Sequence, residues 1–243
     1  MENSKKINCL LIILIVLLFQ SCNTRSPIKN PAFLEYDSLG NLRVKIYDSW
    51  CKKDTVYFSE AYDIQKHKNR SLSKVIDSKT FDLLYNNSDD GKKVHNYFYL
   101  QYATNPYFYY YYFKDKKYIY IYVCKYDEHT CCNKFYIAGK VSDYDVLGGA
   151  YLKVGNKIYC EGNEVKGADI KTFRTFNVGW QQYPGVFAEQ DITLGMNKNY
   201  IYDGSNPINN YNEFKKDFNN GFDTHYITKN PDSLQKIYFP NKK

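Results

Sequence analysis

Tyr107-Phe108-Tyr109-Tyr110-Tyr111-Tyr112-Phe113, then Lys114-Asp115-Lys116-Lys117, then Tyr118-Ile119-Tyr120-Ile121-Tyr122-Val123-Cys124 is the stretch that decides the fold. Seven aromatic residues in succession favour a strand. The charged tetrapeptide turns the chain back. The return run alternates, with Ile119, Ile121 and Val123 on one face and Tyr118, Tyr120 and Tyr122 on the other. That period of two predicts a half-buried strand. A tyrosine face can cover a sheet with its rings while its hydroxyls meet water.

The same signals recur on both sides. Tyr97-Phe98-Tyr99-Leu100 predicts a strand ended by Asn105-Pro106, and Phe135-Tyr136-Ile137 continues the meander. Further hairpins are expected at Ile158 to Val165 and at Ile201 to Ser205, where Gly162-Asn163 and Asp203-Gly204 supply the positive φ of tight turns. Helix is scarce. Tyr211 to Phe218 is the best candidate, with Asn210 as cap, Glu213 three residues on and Gly221 past the end. A weaker one lies near Ser78 to Leu84. The chain holds 27 Tyr and 15 Phe in 243 residues. The expected fold is all-β: antiparallel meander and hairpin repeats with a short C-terminal helix.

Two strings repeat. Lys114-Asp115-Lys116-Lys117-Tyr118-Ile119-Tyr120 is echoed by Met196-Asn197-Lys198-Asn199-Tyr200-Ile201-Tyr202. Val154-Gly155-Asn156-Lys157-Ile158-Tyr159 is a third copy and Asp54-Thr55-Val56-Tyr57 a degraded fourth. Val75-Ile76-Asp77-Ser78-Lys79-Thr80-Phe81 matches Gly167-Ala168-Asp169-Ile170-Lys171-Thr172-Phe173, with Val141-Ser142-Asp143-Tyr144 a faint third. The spacing reads as a tyrosine strand followed by an aspartate element: Tyr57 to Phe81, Tyr120 to Tyr144, Tyr159 to Phe173. The aspartate is expected to bond turn backbone.

These strings resemble the DKNYY family of bacterial proteins, named for a repeated Asp-Lys-Asn-Tyr-Tyr-like strand. The resemblance is best over residues 113–120, 151–177 and 195–204, and looser over most of 50–230. No unit carries the full Asp-Lys-Asn-Tyr string. The resemblance implies an envelope protein built from repeated hairpins, with no established activity.

The N-terminus bounds the compartment. Lys5 and Lys6 precede an unbroken apolar run from Cys9 to Phe19, followed by Gln20, Ser21 and Cys22. The run is too short to span a bilayer, which takes about 20 apolar residues, and has the length of a signal-peptide core. Ser21-Cys22 resembles a relaxed lipobox, in which the cysteine carries diacylglycerol and becomes the first residue. Residues 1–21 are thus read as a lipoprotein signal peptide, 22–32 as a flexible tether with Pro27 and Pro31, and 33–243 as the repeat body. The expected location is the cell envelope, on the outer membrane, with the membrane as partner through Cys22. The net charge of +7 is mildly basic. It suits anionic head groups and, without a long Lys/Arg block, not nucleic acid.

Five cysteines remain in the body: Cys51, Cys124, Cys131, Cys132 and Cys160. Export permits disulfides. A register that puts Cys124 opposite Cys132 also puts Ile121 opposite Phe135 and Tyr120 opposite Tyr136, so a Cys124–Cys132 bridge is expected. Soft-metal ligation by Cys124, His129, Cys131 and Cys132 is the disfavoured alternative, since adjacent cysteines fit one tetrahedral site poorly.

Enzyme signatures are missing. There is no His-Glu-x-x-His, Gly-x-Ser-x-Gly, phosphate loop or dinucleotide glycine pattern. None of the four histidines, His67, His95, His129 and His225, has a motif-placed nucleophile. No catalytic residue, metal or cofactor is assigned. The first functional expectation is a non-catalytic envelope module whose hairpin repeats present a surface to protein or peptidoglycan-associated partners. The second is glycan binding through Gly179-Trp180-Gln181-Gln182-Tyr183-Pro184-Gly185, read as a loop on which Trp180 and Tyr183 stack on sugars while Gln181 and Gln182 bond hydroxyls.

Overall fold

The computed structural model describes residues 25–48, 54–84, 108–127, 130–148, 150–182, 189–208 and 225–227. Among the described residues four sheets, antiparallel except for one strand pair, follow one another along the chain. The first holds β1 (Leu34–Tyr36), β2 (Leu42–Asp48) and β3 (Asp54–Phe58). The second contains β4 (Glu60–Asp63), β5 (Lys68–Ser71), β6 (Asp82–Leu83), β7 (Phe108–Lys114), β8 (Tyr118–Asp127) and β9 (Thr130–Lys140), in the order β5-β4-β9-β8-β7-β6. Its one parallel contact joins β4 to β9. A single helical turn, α1 (Leu72–Val75), buries Leu72 and Val75 beneath the first sheet's β2 side.

The third sheet is the meander β10 (Tyr144–Gly148), β11 (Tyr151–Val154), β12 (Lys157–Cys160) and β13 (Asn163–Glu164). The fourth comprises β14 (Arg174–Gln182), β15 (Glu189–Met196), β16 (Ile201–Asp203) and β17 (Asn206–Pro207), with β18 (His225–Ile227) added beside β14. A four-stranded meander thus occurs three times, as β6 to β9, β10 to β13 and β14 to β17.

The sheets stack, and an apolar layer fills each gap. Val44 and Ile46 of the first sheet meet Phe113, Tyr120, Tyr122, Phe135 and Ile137 of the second. The other face of the second sheet, with Tyr110, Tyr112, Ile119 and Ile121, packs on Val146, Leu152, Val154 and Tyr159 of the third. The third sheet's Tyr151, Ile158 and Cys160 pack with Tyr202 of the fourth and with Phe173, the residue just ahead of β14. Alternation along β8 is as expected, but its tyrosine face does not meet water. Tyr120 is fully buried and Tyr122 nearly so. A lone hairpin is marginal in water, and burial on both faces by neighbouring units supplies what it lacks.

The β8–β9 register differs from expectation by one residue. Ile121 stands opposite Tyr136, Tyr122 opposite Phe135 and Cys124 opposite Asn133, while Cys132 lies opposite Lys125. A bulge accommodates Ala138, since Ile119 pairs with Gly139 and Tyr120 with Ile137. Register slips of one residue exchange faces, so Cys124 and Cys132 do not occupy facing positions, and the expected bridge between them lacks the register it needs. Both faces of β8 are apolar, so matching face to face could not select the register.

Two further expectations change. Residues 78–84 form a turn and the short β6 rather than a helix. The tether is not loose from residue 25 onward. The Tyr36 hydroxyl donates to the Ser26 carbonyl (3.0 Å), the Ser78 hydroxyl to the Pro27 carbonyl (3.1 Å), and the Lys29 N–H to the Ser78 carbonyl (2.9 Å). The Asp82 carboxylate then receives Lys29 Nζ at 2.8 Å and Asn30 Nδ2 at 2.7 Å. Expectations for residues 1–24, Trp50, Cys51, Tyr97 to Leu100, His95, His129, Tyr183 and the 211–218 helix lie outside the described residues.

Candidate functional site

The repeated strings build two copies of one clasp. In the first, Asp115 begins the β7–β8 turn. Its Oδ1 accepts the N–H groups of Lys117 (2.7 Å) and Tyr118 (2.8 Å). Its Oδ2 accepts the Asp77 N–H (2.8 Å) and the Tyr120 hydroxyl (2.8 Å). Thr80 Oγ1 accepts the Lys116 N–H (3.1 Å), and Lys116 Nζ reaches Asp77 Oδ2 at 2.5 Å. Phe81 packs edge-on against Tyr120 with ring centres 5.6 Å apart.

The second clasp repeats these contacts at Asn197, which begins the β15–β16 turn. Its Oδ1 accepts the N–H groups of Asn199 (2.8 Å) and Tyr200 (2.9 Å). Its Nδ2 donates to the Tyr202 hydroxyl (3.0 Å) and the Gly167 carbonyl (3.2 Å). Thr172 Oγ1 accepts the Lys198 N–H (3.3 Å), Lys198 Nζ lies 3.3 Å from Asp169 Oδ2, and Phe173 sits 5.6 Å from Tyr202. A buried polar side chain is tolerable only when hydrogen-bonded. Asp115 and Asn197, each 3 % exposed, meet that condition through four contacts apiece.

The third copy is simpler. Gly155, at φ +58°, turns β11 into β12, and its N–H donates to the Asp143 carbonyl at 2.7 Å. In all three places the aspartate element docks on the hairpin turn that follows it. The repeating unit therefore runs from aspartate element to hairpin, the reverse of the frame read from spacing. Asp54-Thr55-Val56-Tyr57, the degraded fourth copy, lies in β3 with Asp54 paired to Asp48.

Sequence reading missed three contributors. Asp63, 3 % exposed, caps the β4–β5 turn by accepting the Gln65 and Lys66 N–H groups at 3.1 Å each, and it pairs with Arg70 at 3.0 Å. Tyr112 and Tyr151 tie each unit to the next. The Tyr112 hydroxyl accepts the Gly162 N–H (3.0 Å) and donates to the Ala150 carbonyl (2.9 Å). That of Tyr151 accepts the Gly195 N–H (3.1 Å) and donates to the Gly204 carbonyl (2.8 Å). Only the phase of the repeat could have singled them out among so many tyrosines.

Electrostatics follow from these contacts. The hydrogen bond and charge of Lys116 hold the Asp77 carboxyl below the usual carboxylate range. Thr172, followed by Lys198, does the same for Asp169. Burial pushes the hydroxyls of Tyr112, Tyr120 and Tyr151 well above the ordinary tyrosine value. Burial also raises the Cys160 thiol, which disfavours the reactive thiolate. Beside the second clasp lies a groove of about 230 Å³ lined by Thr172, Arg174, Phe176, Met196, Asn197 and Lys198.

Of the stretch read as a glycan-binding loop, residues 179–182 belong to a strand, and residues 183–185 lie outside the described residues. Trp180, Gln181 and Gln182 lie in β14, opposite Asp191, Gln190 and Glu189 of β15. Trp180 and Gln181 also face Tyr226 and His225 of β18. His67 sits at φ +50° in the β4–β5 turn, and His225 lies in β18. Among the described residues no group of three or more His, Cys, Asp or Glu is placed to hold a metal ion.

Among known proteins, residues 151–243 match the DKNYY family. No curated protein and no solved structure matches the chain. The first clasp, at residues 77–120, lies outside the matched stretch and nonetheless reproduces the geometry of the second.

Proposed function

We propose that this chain, whose residues 151–243 carry the DKNYY family match, is a lipid-anchored envelope protein. In this reading it acts as a non-catalytic stack of repeats that presents a surface to another envelope component. The observation that carries the reading is where the polar groups of the repeat strings go. Asp77, Asp115, Asp169 and Asn197, with Tyr120 and Tyr202, bond to one another and to turn backbone. They rigidify hairpins, and this engagement of the repeated polar groups within the fold itself supports a structural role for the strings. Recognition by such a stack rests on the solvent faces of its turns and outer strands.

The anchor is supported by Lys5-Lys6, the apolar run from Cys9 to Phe19, and Ser21-Cys22. More than one acyl chain on Cys22 makes membrane residence stable where a single chain is marginal. Metabolic labelling with an alkyne fatty acid tests it. The full chain should incorporate label, begin at Cys22 by mass and fractionate with membranes, and Cys22→Ser should lose all three. A mature protein that begins elsewhere, or lacks fatty acid, ends the reading. The presenting role is tested by a photoreactive residue at Tyr200, 45 % exposed in the second clasp's turn. Discrete envelope adducts are expected; their consistent absence across exposed turns would count against it.

A further inference from the structure

Leu39 is exposed at 85 %, far more than any other large apolar side chain among the described residues. It stands at the tip of the β1–β2 turn, which is rigid. The Asp37 N–H donates to the Asn41 carbonyl (2.9 Å), the Gly40 N–H to the Asp37 carbonyl (2.9 Å), and the Asn41 N–H to Asp37 Oδ1 (2.8 Å). Gly40 adopts φ +84°, and a Cβ there would lie 3.6 Å from Arg25 Nη2. The Arg25 guanidinium therefore rests against the turn that lifts Leu39 into solvent, 5.5 Å from the centre of the Tyr36 ring. A single exposed apolar side chain is ordinary in itself; what sets Leu39 apart is a hydrogen-bonded turn that holds it out, an arginine beside it, and its closeness along the chain to the lipid-bearing Cys22.

Chain length places this tip near the bilayer. Only Asn23 and Thr24 separate Cys22 from Arg25, a span of about 11 Å at full extension. From Ser26 the chain is fastened to the body through Tyr36, Ser78 and Asp82. The leash cannot lengthen without breaking those contacts. The acidic group of the turn, Asp37, accepts from Asn41 through both oxygens (2.8 and 3.4 Å), while Arg25 stays exposed.

We infer that the Leu39 turn and Arg25 form a membrane-contact surface: Leu39 enters the acyl boundary of the leaflet that holds the Cys22 lipid, and Arg25 meets its phosphates. The body is thereby seated flush on the bilayer in one orientation. The inference rests on the acylation of Cys22 put forward above. Guanidinium and phosphate form strong, paired hydrogen bonds, and the apolar tip adds burial that a charged turn could not.

Full-length acylated protein in vesicles of phosphatidylethanolamine and phosphatidylglycerol tests it. Leu39→Trp should add fluorescence, over that of Trp50 and Trp180, that is blue-shifted and quenched several-fold by brominated acyl chains. Arg25→Glu in the same background should at least halve that quenching with phosphatidylglycerol present and change it little in neutral vesicles. A water-like emission that bromine does not touch, from protein that floats with vesicles and has an acylated N-terminus, overturns the inference and leaves the anchor standing. Failure to float, with an unmodified N-terminus, overturns the anchor first and this inference with it.

Discussion

Tyr120 donates its hydroxyl to the Asp115 carboxylate across 2.8 Å, whereas at the equivalent pair Tyr202 accepts from the Asn197 amide across 3.0 Å. One geometry is thus served by hydrogen bonds of opposite direction. The second oxygen of Asp115 also faces a donor, the Asp77 N–H, and the amide of Asn197 faces an acceptor, the Gly167 carbonyl. The residue type at each clasp is fixed by that outer partner.

Exchanging the two types should therefore harm both clasps. Asp115→Asn points an NH₂ at the Asp77 N–H, and Asn197→Asp points a carboxylate at the Gly167 carbonyl. A buried polar group left without a partner costs about 1–3 kcal/mol. Each exchange should lower the urea midpoint by that order, and each Ala variant by at least as much. Unchanged midpoints for both exchanges would mean that the clasps do not hold the hairpins.

Gly195 tests the layer between the third and fourth sheets. A Cβ there would lie 2.5 Å from Phe173 Cζ and 3.0 Å from the Tyr151 ring. Overpacking of this kind costs about 1–3 kcal/mol. Gly195→Ala should lower stability by that amount, and Phe173→Leu, which removes the closest atoms, should make the pair less costly than the sum of the two changes. Denaturation of the four proteins of this double-mutant cycle measures the coupling, and simple additivity would place the strain elsewhere.

The sequence showed the hairpins and the paired strings because both are local: alternation, turn residues and the Asp-x-Lys-Thr-Phe pattern all act within a few residues. The frame of the unit was hidden because Asp77 finds Asp115 across 38 residues of chain, and no spacing rule orders such a pair. Reading Gly179 as part of a loop failed for a physical reason. It sits at a β-bulge, where the β14–β15 register shifts between Asn177 and Gly179, and an isolated strand glycine signals a bulge as readily as a turn. The tyrosine face of β8 looked half-wet because hydroxyls permit it; Val75, Asp115 and Asn133 satisfy those of Tyr120 and Tyr122 inside. The docked segment from Ser26 to Asn30 depends on Ser78 and Asp82, which nothing local announces.

Alkaline pH should unfold the stack. Burial raises the folded-state values of Tyr112, Tyr120, Tyr136, Tyr151 and Tyr159 above the ordinary tyrosine value, which is about 10. A group with a raised value binds its proton more tightly in the fold. Its stabilising contribution is complete below about pH 10 and is lost as pH climbs toward the folded value. Tyrosinate absorbance should therefore rise in two stages, exposed rings first and the buried set only with loss of near-UV circular dichroism. One smooth rise with the fold intact would contradict the burial of these rings.

The clamp on the N-terminal segment has its own test in proteolysis. Trypsin cleaves after Arg25 and Lys29, but the Lys29 ammonium is engaged 2.8 Å from Asp82, and its N–H is bonded to Ser78. A protease needs several residues of unfolded chain, so cleavage follows local opening. Burial works against ionisation of Asp82, yet Lys29 and Asn30 outweigh it and leave the carboxyl below its usual range; their attraction therefore favours the docked segment near neutral pH. Asp82→Ala removes both partners at once, and cutting after Lys29 should accelerate several-fold while the body stays folded by circular dichroism. Asp82→Asn keeps a hydrogen-bonding side chain without the charge and should fall between the two. Equal cleavage rates in all three proteins would show that the segment is free in solution, and the short leash between lipid and body would go with it.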